Sequence, residues 1–193
     1  VNSYGRDLPA AGRMGFAELL AAVAAVPGIE RVRYTSPHPK DIREDVIAVH
    51  REVPEVCEHI HLPAQAGSTR ILKAMRRTYD RSRYLHLVHR IREGIPDVAL
   101  TTDLIVGFPG ETDEDFAETL SLVTEAGYDG AYTFVYSPRP GTEAGETLTD
   151  DVPAEVKSER IGALIDVVQR TARERLSRHV GTVREVLVEG PSR

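Results

Sequence analysis

The sequence predicts a parallel α/β fold, and within that class part of a (β/α) barrel. An apolar strand followed by an amphipathic helix recurs four times in the first 150 residues, and each loop after a strand is rich in Gly, Pro or polar residues. A complete eight-stranded barrel needs about 200–250 residues. Only four strands can be recognised here, so the repeat indicates a partial barrel or open sheet.

The individual elements follow from hydrophobic spacing along the chain. Strands are predicted at residues 29–35, 57–62, 98–106 and 131–136. Helices are predicted at residues 15–26, 41–53, 68–79, 80–94, 112–126 and 153–179. Residues 1–14 and 137–145 are expected to be loops, and the alternation over residues 183–188 predicts one more strand.

The stretch 101–112 is the most informative in the chain. An apolar run, residues 104–106, stops at Gly107, and a Pro109-Gly110 turn leads into an acidic helix start. Glycine permits positive φ or close backbone approach, and proline fixes the bend. Thr112 with Asp115 three residues later is typical of a capping box. The pattern predicts a strand–turn–helix junction with room for a ligand above it, since chemistry collects at the carboxyl ends of parallel strands.

Composition excludes several classes of protein. Hydrophobic content of 41% and charged content of 28% are ordinary for a globular domain, and no apolar run approaches the roughly 18 residues of a membrane span. The net charge of −6 argues against nucleic-acid binding by the whole surface. The single cysteine, Cys57, excludes an internal disulfide and any cysteine-ligated metal or iron–sulfur site built from this chain alone. Because the chain begins at Val1 within a loop-like run, we interpret it as a piece of a longer protein.

Two polar groups of residues lie near the second strand. His59 and His61 would share one face of a strand, but no third ligand is near in sequence, so hydrogen-bonded strand histidines are favoured over a metal pair. Gln65 and Ser68 lie in a Gly-containing loop before a helix, which suits hydrogen bonding to a polar ligand or anion. Turn and cap residues without a ligand are the alternative.

Basic residues concentrate between positions 70 and 92, where eight occur against one acid, Asp80. Arg70, Lys73 and Arg77 have the i, i+3, i+7 spacing of one helix face. A segregated basic stripe in an acidic chain is a candidate contact for a phosphate backbone. A solvated helix face is the competing interpretation.

Three further charged residues flank predicted loops. Arg139 lies between two prolines just after a strand, and its guanidinium suits a ligand carboxylate or phosphate; the alternative is a surface arginine or a pair with Glu143. Asp103 is a candidate anchor for a sugar hydroxyl. Glu111 is equally explained as a charge at a helix N-terminus.

Taken together, five motifs in order resemble the radical-SAM methylthiotransferases, and most of all those that modify isopentenylated adenosine beside the tRNA anticodon. The motifs are residues 2–5, 61–68, 72–79, 102–112 and 137–142. The resemblance implies the C-terminal part of a six-stranded (β/α)6 radical-SAM (TIM-like) barrel, followed by the first strand of a small RNA-binding β-barrel (TRAM) domain. The implied domains are residues 1–150 for the barrel, 151–180 for its last helix and linker, and 181–193 for the start of the TRAM domain.

The resemblance also implies ligands and partners. S-adenosylmethionine would lie across the carboxyl ends of the strands, with Arg139 at its methionyl carboxylate. The residues placed around it are Gln65, Ser68, Asp103 and Arg139. Those placed along the tRNA path are Arg70, Lys73 and Arg77. We further expect a cytoplasmic, monomeric enzyme without membrane contact, whose sulfur and electron donors are not indicated.

Two departures from the family pattern matter. Ala66 stands where the family has serine, so one hydroxyl is absent. The Cys-x-x-x-Cys-x-x-Cys motif of the catalytic [4Fe–4S] cluster is missing, as are the cysteines of an auxiliary cluster. The two [4Fe–4S] clusters expected in the full-length enzyme must therefore be ligated outside this chain, which holds no catalytic residue and is expected to be inactive alone.

Several alternatives remain open at this point. Within the family, the substrate could be threonylcarbamoyl-adenosine in tRNA or a ribosomal protein. A non-catalytic RNA-binding module would use the basic helix. A phosphate-binding α/β enzyme without a cluster would cradle an anion with residues 107–111.

Overall fold

The computed structural model describes residues 3–5, 14–188 and 190–191. Three strands form one parallel sheet in the order β1 (His59–His61), β2 (Ala99–Val106), β3 (Gly130–Val135). The α-helices of this described part are α1 (Phe16–Ala24), α2 (Glu44–Glu52), α3 (Thr69–Ala74), α4 (Arg81–Gly94), α5 (Asp113–Ala126), α6 (Glu143–Thr147) and α7 (Ala154–Ser177). A 3₁₀ turn covers Pro39–Asp41. None of these helices has the length and apolar character needed to cross a membrane. The parallel α/β prediction is confirmed.

One face of the sheet is covered by helices. In β1 and β2 the strand positions that point to this side are fully buried: Ile60, Leu100, Thr102, Leu104 and Val106. Helix α7 packs on β3, β2 and α5, and α4 packs on α2 and α5. Fully burying an aliphatic side chain stabilises the fold by about 1.5–3 kcal/mol, so these alternate positions carry most of the sheet's packing energy.

The opposite face of the sheet is open. Most of its strand positions are polar or aromatic, and Tyr132 and Phe134 in β3 are 65% and 50% exposed. Asp103 lies opposite Tyr132 and Thr101 opposite His61 in the strand register. Parallel sheets are normally covered on both faces, and in a closed barrel this face is the interior.

The strand predicted at residues 29–35 is reduced to a single parallel bridge between Val32 and Val56. Val32 donates its N–H to the Glu55 carbonyl at 2.6 Å and accepts from the Cys57 N–H at 3.1 Å. The segment therefore lies at the β1 edge of the sheet. The segment cannot extend past residue 35, because Ser36 has a positive φ of 51° and Pro37 has no N–H to offer a ladder.

The strand predicted at residues 183–188 is wrong for the described structure. Residues 182–188 form no regular element, and Val183 is fully exposed. Alternation indicates which side chains a strand would bury, but a strand also needs a neighbour to accept its backbone hydrogen bonds. Residues 189, 192 and 193 of the predicted TRAM start, and residues 1–2 and 6–13 of the predicted N-terminal loop, lie outside the described residues.

The helix predicted at residues 68–79 ends at Ala74. The Arg76 N–H bonds to the Lys73 carbonyl at 3.0 Å, and the Arg77 N–H bonds to the Leu72 carbonyl at 2.9 Å, which is the Schellman pattern. Arg76 occupies the left-handed position with φ 56°. The sequence gives no sign of this stop because the left-handed residue is arginine and not glycine.

The predicted loop 137–145 contains the start of a short helix, α6. Thr142 caps it by accepting the Gly145 N–H on its Oγ1 at 3.2 Å. The element is only 5 residues long, too short for hydrophobic periodicity to reveal it.

Candidate functional site

The turn after β2 is fixed by backbone conformation and by its neighbours. Gly107 and Gly110 have φ values of 71° and 78°, which glycine adopts without steric cost. The Lys157 side-chain stem fills the space beside Gly107, where an added Cβ would lie 2.5 Å from Lys157 Cγ. Thr112 caps α5, and Asp115 accepts the Thr112 N–H at 2.9 Å. The predicted strand–turn–helix junction and its capping box are therefore confirmed.

Glu111 is buried at this turn and belongs to an ion pair with α7. Its Oε2 accepts the Gly107 N–H at 2.8 Å and Arg160 Nη1 at 2.9 Å. Arg160 also donates to Asp113 at 2.7 Å, which ties α7 to the start of α5. Burial raises the pKa of Glu111, and the Gly107 N–H and the Arg160 charge offset part of that rise. Interpreting Glu111 as a simple helix-terminal charge missed this contact, because Arg160 is 49 residues away.

A cavity of about 630 Å³ opens at the carboxyl ends of β2 and β3. This is the edge at which parallel α/β proteins bind ligands, and the volume lies within the roughly 300–1,000 Å³ of small-molecule sites. The loop after β1, the end of α3, the turn after β2 and helix α6 complete its wall. The lining residues of greatest interest are Gln65, Asp103, Ile105, Phe108, Phe134 and Arg139.

Three of the four residues predicted around a cofactor meet at this cavity: Gln65, Asp103 and Arg139. Gln65 is held there by the backbone. Its N–H donates to the Asp103 carbonyl and its own carbonyl accepts the Ile105 N–H, both at 2.9 Å. Gln65 has a φ of 72°, a left-handed conformation that costs a non-glycine residue about 1–3 kcal/mol. The two bonds to β2 hold this conformation and fix where the side chain begins.

Arg139 lies exposed at the cavity rim. Its backbone carbonyl accepts the Thr142 N–H at 3.2 Å and the Thr142 hydroxyl at 2.7 Å. Glu143, the acid considered as its partner, instead bonds to Arg76. Within the described part of the chain the Arg139 guanidinium makes no ion pair, so its donors remain free for an anionic ligand.

Ser68 does not line this cavity. It is 2% exposed, and its hydroxyl donates to Asp115 Oδ1 at 2.6 Å. Arg70 also bonds to Asp115, and to the Gly110 carbonyl at 2.5 Å. Burial alone would raise the pKa of Asp115, but the hydrogen bonds from Arg70, Ser68 and Thr112 outweigh it and hold that pKa well below its usual range. Ser68 and Arg70 therefore join the starts of α3 and α5.

The loop before Ser68 packs tightly on α5. An added Cβ at Gly67 would lie 2.3 Å from the Glu118 carbonyl oxygen, and the Gly67 N–H donates to Thr119 Oγ1 at 2.9 Å. Ala66, the departure from the family pattern, is 1% exposed. Position 67 therefore requires glycine because the backbone of α5 lies so close to it.

The predicted basic stripe is broken by the end of α3. Arg77 follows the Schellman turn and lines the cavity, whereas Lys73 remains exposed on the helix. Most other cations of residues 70–92 are bonded within the fold. The clearest cases are Arg81 to Glu125 at 2.7 Å, Arg90 to Glu44 at 2.6 Å and Arg92 to the Gly127 carbonyl at 2.6 Å.

His59 and His61 are hydrogen-bonded strand histidines, as the sequence favours. His61 contacts Thr101 Oγ1 at 2.9 Å through Nδ1 and Asp103 Oδ1 at 3.2 Å through Nε2. His59 contacts Thr101 Oγ1 at 3.2 Å and Arg33 Nη2 at 3.1 Å. Burial, and then the Arg33 charge, lower the pKa of His59 to about 4, so the ring is neutral near pH 7. No group of three metal-ligating side chains occurs in the described ranges.

Some residues of the site were not identified from the sequence. Phe108 meets Tyr136 edge to face, with ring centroids 5.0 Å apart, and both line the cavity. Phe134 lines it from β3. Alternation in β3 indicates that Tyr132, Phe134 and Tyr136 share a face, but not which face is open.

Comparison with known proteins identifies the family. Residues 9–123 match the Radical SAM superfamily. Three relatives bear the name tRNA-2-methylthio-N(6)-dimethylallyladenosine synthase, and each alignment spans all of this chain. Their identities are 52% in Acetivibrio thermocellus, 53% in Carboxydothermus hydrogenoformans and 50% in Acidothermus cellulolyticus. The chain covers 40%, 43% and 38% of those proteins, respectively.

A solved structure agrees with the fold. Coproporphyrinogen III oxidase from Escherichia coli, described as a radical SAM enzyme, matches with a TM-score of 0.58 at 24% identity. The match covers 70% of this chain and 31% of that one. The family match, in agreement with the three parallel strands and the cavity at their carboxyl ends, shows that the chain belongs to the radical SAM superfamily.

Proposed function

We propose that this chain is the C-terminal part of the barrel of a tRNA methylthiotransferase. The enzyme would add a methylthio group to C2 of N6-isopentenyladenosine next to the anticodon, using S-adenosylmethionine. The observation that carries the proposal is an identity near 50% over the whole chain to relatives with that named activity. The chain spans only about 40% of their length, so the activity is that of the full-length protein.

The cavity at the ends of β2 and β3 fits S-adenosylmethionine. It combines an acid, Asp103, a guanidinium without an ion pair, Arg139, and an amide, Gln65. Ile105 and Phe108 supply apolar surface in the same wall. A nucleoside carrying an amino-acid group presents hydroxyls, a carboxylate and a flat ring, and these side chains offer one complementary group for each.

Each residue would hold a different part of the cofactor. Arg139 would pair with the methionyl carboxylate, and Asp103 would accept from the ribose hydroxyls. Gln65 would donate or accept at a polar edge, and Phe108 would pack against the adenine. When bound with a reduced iron–sulfur cluster, S-adenosylmethionine supplies the radical chemistry that a methylthiotransferase uses.

The residues of this chain do not fit a [4Fe–4S] cluster. Cluster ligation requires several thiolates, and Cys57 is the single cysteine of the sequence. Cys57 is half-buried beside the Val32 bridge and does not line the cavity. We propose that the full-length protein holds two such clusters with cysteines outside these residues.

The proposed tRNA path follows the cations that have no ion-pair partner in the described part of the chain. Lys73 and Arg77 keep this role, with Arg139 at the same cavity rim. Arg70 is a weaker candidate because Asp115 and the Gly110 carbonyl occupy its guanidinium. Residues 181–193 would lead into an RNA-binding module, and work on tRNA would place the enzyme in the cytoplasm.

The test uses the full-length protein, reconstituted with iron and sulfide without oxygen. Mass spectrometry of nucleosides from tRNA carrying isopentenyladenosine is expected to detect the methylthio product. Arg139→Gln is expected to raise the dissociation constant for S-adenosylmethionine about 10- to 100-fold, because one charge-assisted hydrogen-bond pair is worth about 1.5–3 kcal/mol. Arg83→Gln, an exposed arginine on α4, is the matched control and is expected to bind normally.

Other outcomes identify the alternatives. A methylthio group found only on threonylcarbamoyl-adenosine or on a ribosomal protein would identify the protein as a methylthiotransferase of the same family with that other substrate. Binding of tRNA that falls with salt, without any affinity for S-adenosylmethionine, would favour a non-catalytic RNA-binding module. Turnover without iron would favour a phosphate-binding enzyme.

A further inference from the structure

Five side chains form one row of polar contacts across the open face of the sheet. Arg33 Nη2 lies 3.1 Å from His59 Nδ1, and His59 Nε2 lies 3.2 Å from Thr101 Oγ1. Thr101 Oγ1 lies 2.9 Å from His61 Nδ1, and His61 Nε2 lies 3.2 Å from Asp103 Oδ1. The row ends at Asp103, which lines the ligand cavity.

The chemistry of the two ends sets the direction of every bond in the row. A guanidinium has donors only, so His59 Nδ1 must accept and the proton of neutral His59 lies on Nε2. That N–H donates to Thr101 Oγ1, whose own hydroxyl proton is then free to donate to His61 Nδ1. A neutral His61 ring that accepts at Nδ1 carries its proton on Nε2, the nitrogen that faces Asp103 Oδ1.

The geometry around Asp103 makes its two oxygens unequal. Oδ1 lies 3.2 Å from His61 Nε2, while no donor among the described residues lies that close to Oδ2. The His61 ring cannot easily turn away, because its side chain is 8% exposed and packs against the Tyr132 ring at 5.8 Å between centroids. The carboxylate is therefore held from the sheet side, and one oxygen is left for the cavity.

We propose that His61 is a positioning residue for the ligand site: it holds the Asp103 carboxylate so that Oδ2 accepts from a vicinal hydroxyl of the bound nucleoside. The row from Arg33 to Thr101 fixes the tautomer of His61 that can do this. The inference rests on the proposed function for the identity of the nucleoside. The Asp103–His61–Thr101 arrangement itself depends only on the described contacts.

The experiment measures binding, not turnover, in the anaerobic full-length holoenzyme. The probes are S-adenosylhomocysteine and its 2′-deoxy and 3′-deoxy analogues. Equilibrium dialysis measures the dissociation constant of each. In the unsubstituted protein, one of the two hydroxyls donates a hydrogen bond to Asp103. Removal of that hydroxyl is expected to weaken binding about tenfold, the effect of one hydrogen bond to a charged group. His61→Phe keeps a flat ring against Tyr132 but has no N–H, and we expect its penalty for that missing hydroxyl to fall to about threefold or less.

Two further variants separate positioning from folding. His61→Gln restores an N–H donor near the Nε2 position and is expected to recover most of the hydroxyl discrimination. Thr101→Val keeps the shape of the side chain but breaks the row, and is expected to lose the discrimination as His61→Phe does. Thr133→Val is the matched control, since Thr133 lies opposite Leu104 on the strand adjacent to β2 and outside the row.

The outcomes are distinguishable. Unchanged hydroxyl discrimination in folded His61→Phe and Thr101→Val would overturn the positioning role and leave the proposed function intact. His61→Gln that discriminates no better than His61→Phe would also overturn the role of the donated N–H. No binding of S-adenosylhomocysteine by the unsubstituted protein would overturn the proposed function itself.

Discussion

The two faces of the three-stranded sheet are made by the same strands but differ in burial and polarity. On the helix-covered face, Leu100, Leu104 and Val106 are fully buried. On the open face, the alternate residues of β2 are Thr101, Asp103 and Ile105, which are polar or only half-buried. The covered face provides packing energy, and the open face provides polar groups that stay in fixed positions because the covered face holds the strands.

Two carboxylates, Asp115 and Asp103, make the contrast sharper. Asp115 receives donors from Ser68, Arg70 and Thr112, so both of its oxygens are engaged within the fold. Asp103 has one polar side-chain neighbour, His61, whose Nε2 lies 3.2 Å from Oδ1, and its other oxygen has no partner among the described residues. The saturated carboxylate joins two helix starts. The half-saturated carboxylate is the one at the cavity, and unsatisfied acceptors of this kind are what a ligand can use.

The largest expected effect is on the covered side, at the ion pair beneath the turn. Arg160→Met leaves Glu111 buried beside Gly107 without its cation, which is expected to lower the free energy of unfolding by about 3–5 kcal/mol. Urea denaturation measures the loss. Arg83→Met, which removes an exposed arginine, should change it by no more than about 0.5 kcal/mol. A loss below about 1 kcal/mol for Arg160→Met would mean that the turn does not depend on α7.

A smaller difference is expected between apolar positions on the two faces. Leu104→Ala removes a fully buried side chain and is expected to cost about 3 kcal/mol, including the cavity left behind. Phe134→Ala removes a half-exposed ring and is expected to cost less than about 1 kcal/mol. The same urea titrations compare them. Equal losses for the two variants would contradict the division between a packed face and an open face.

The smallest effect concerns pH and tests the polar row. In the unfolded chain His59 binds a proton below its ordinary pKa of about 6.5, whereas in the fold it does so only below about 4. The unfolded state therefore binds more protons between these values, and stability falls as pH is lowered through that window. His59→Gln is expected to reduce the loss of stability between pH 7 and pH 5. An unchanged pH dependence would show that His59 titrates normally in the fold.

Much of the fold and the core of the site were predictable from sequence. The junction at residues 101–112 was specified locally, by two glycines with positive φ and a capping box. Three of four predicted cofactor residues reach one cavity, because parallel strands bring their carboxyl ends together. Ser68 was predicted at the cofactor and Arg70 on the tRNA path, but their partner Asp115 lies more than forty residues away and binds both within the fold.

By itself the sequence determined the order of strands and helices, the turn that closes β2 and the polar character of alternate strand positions. These features are local, since they depend on spacing, glycine and caps within a few residues. Tertiary structure alone decided where α3 ends, which cations remain free, and that His59, Thr101, His61 and Asp103 form one row. Side chains on neighbouring strands come into contact only after strand pairing sets their register. Hydrophobic spacing along one strand does not predict which of them will be in contact.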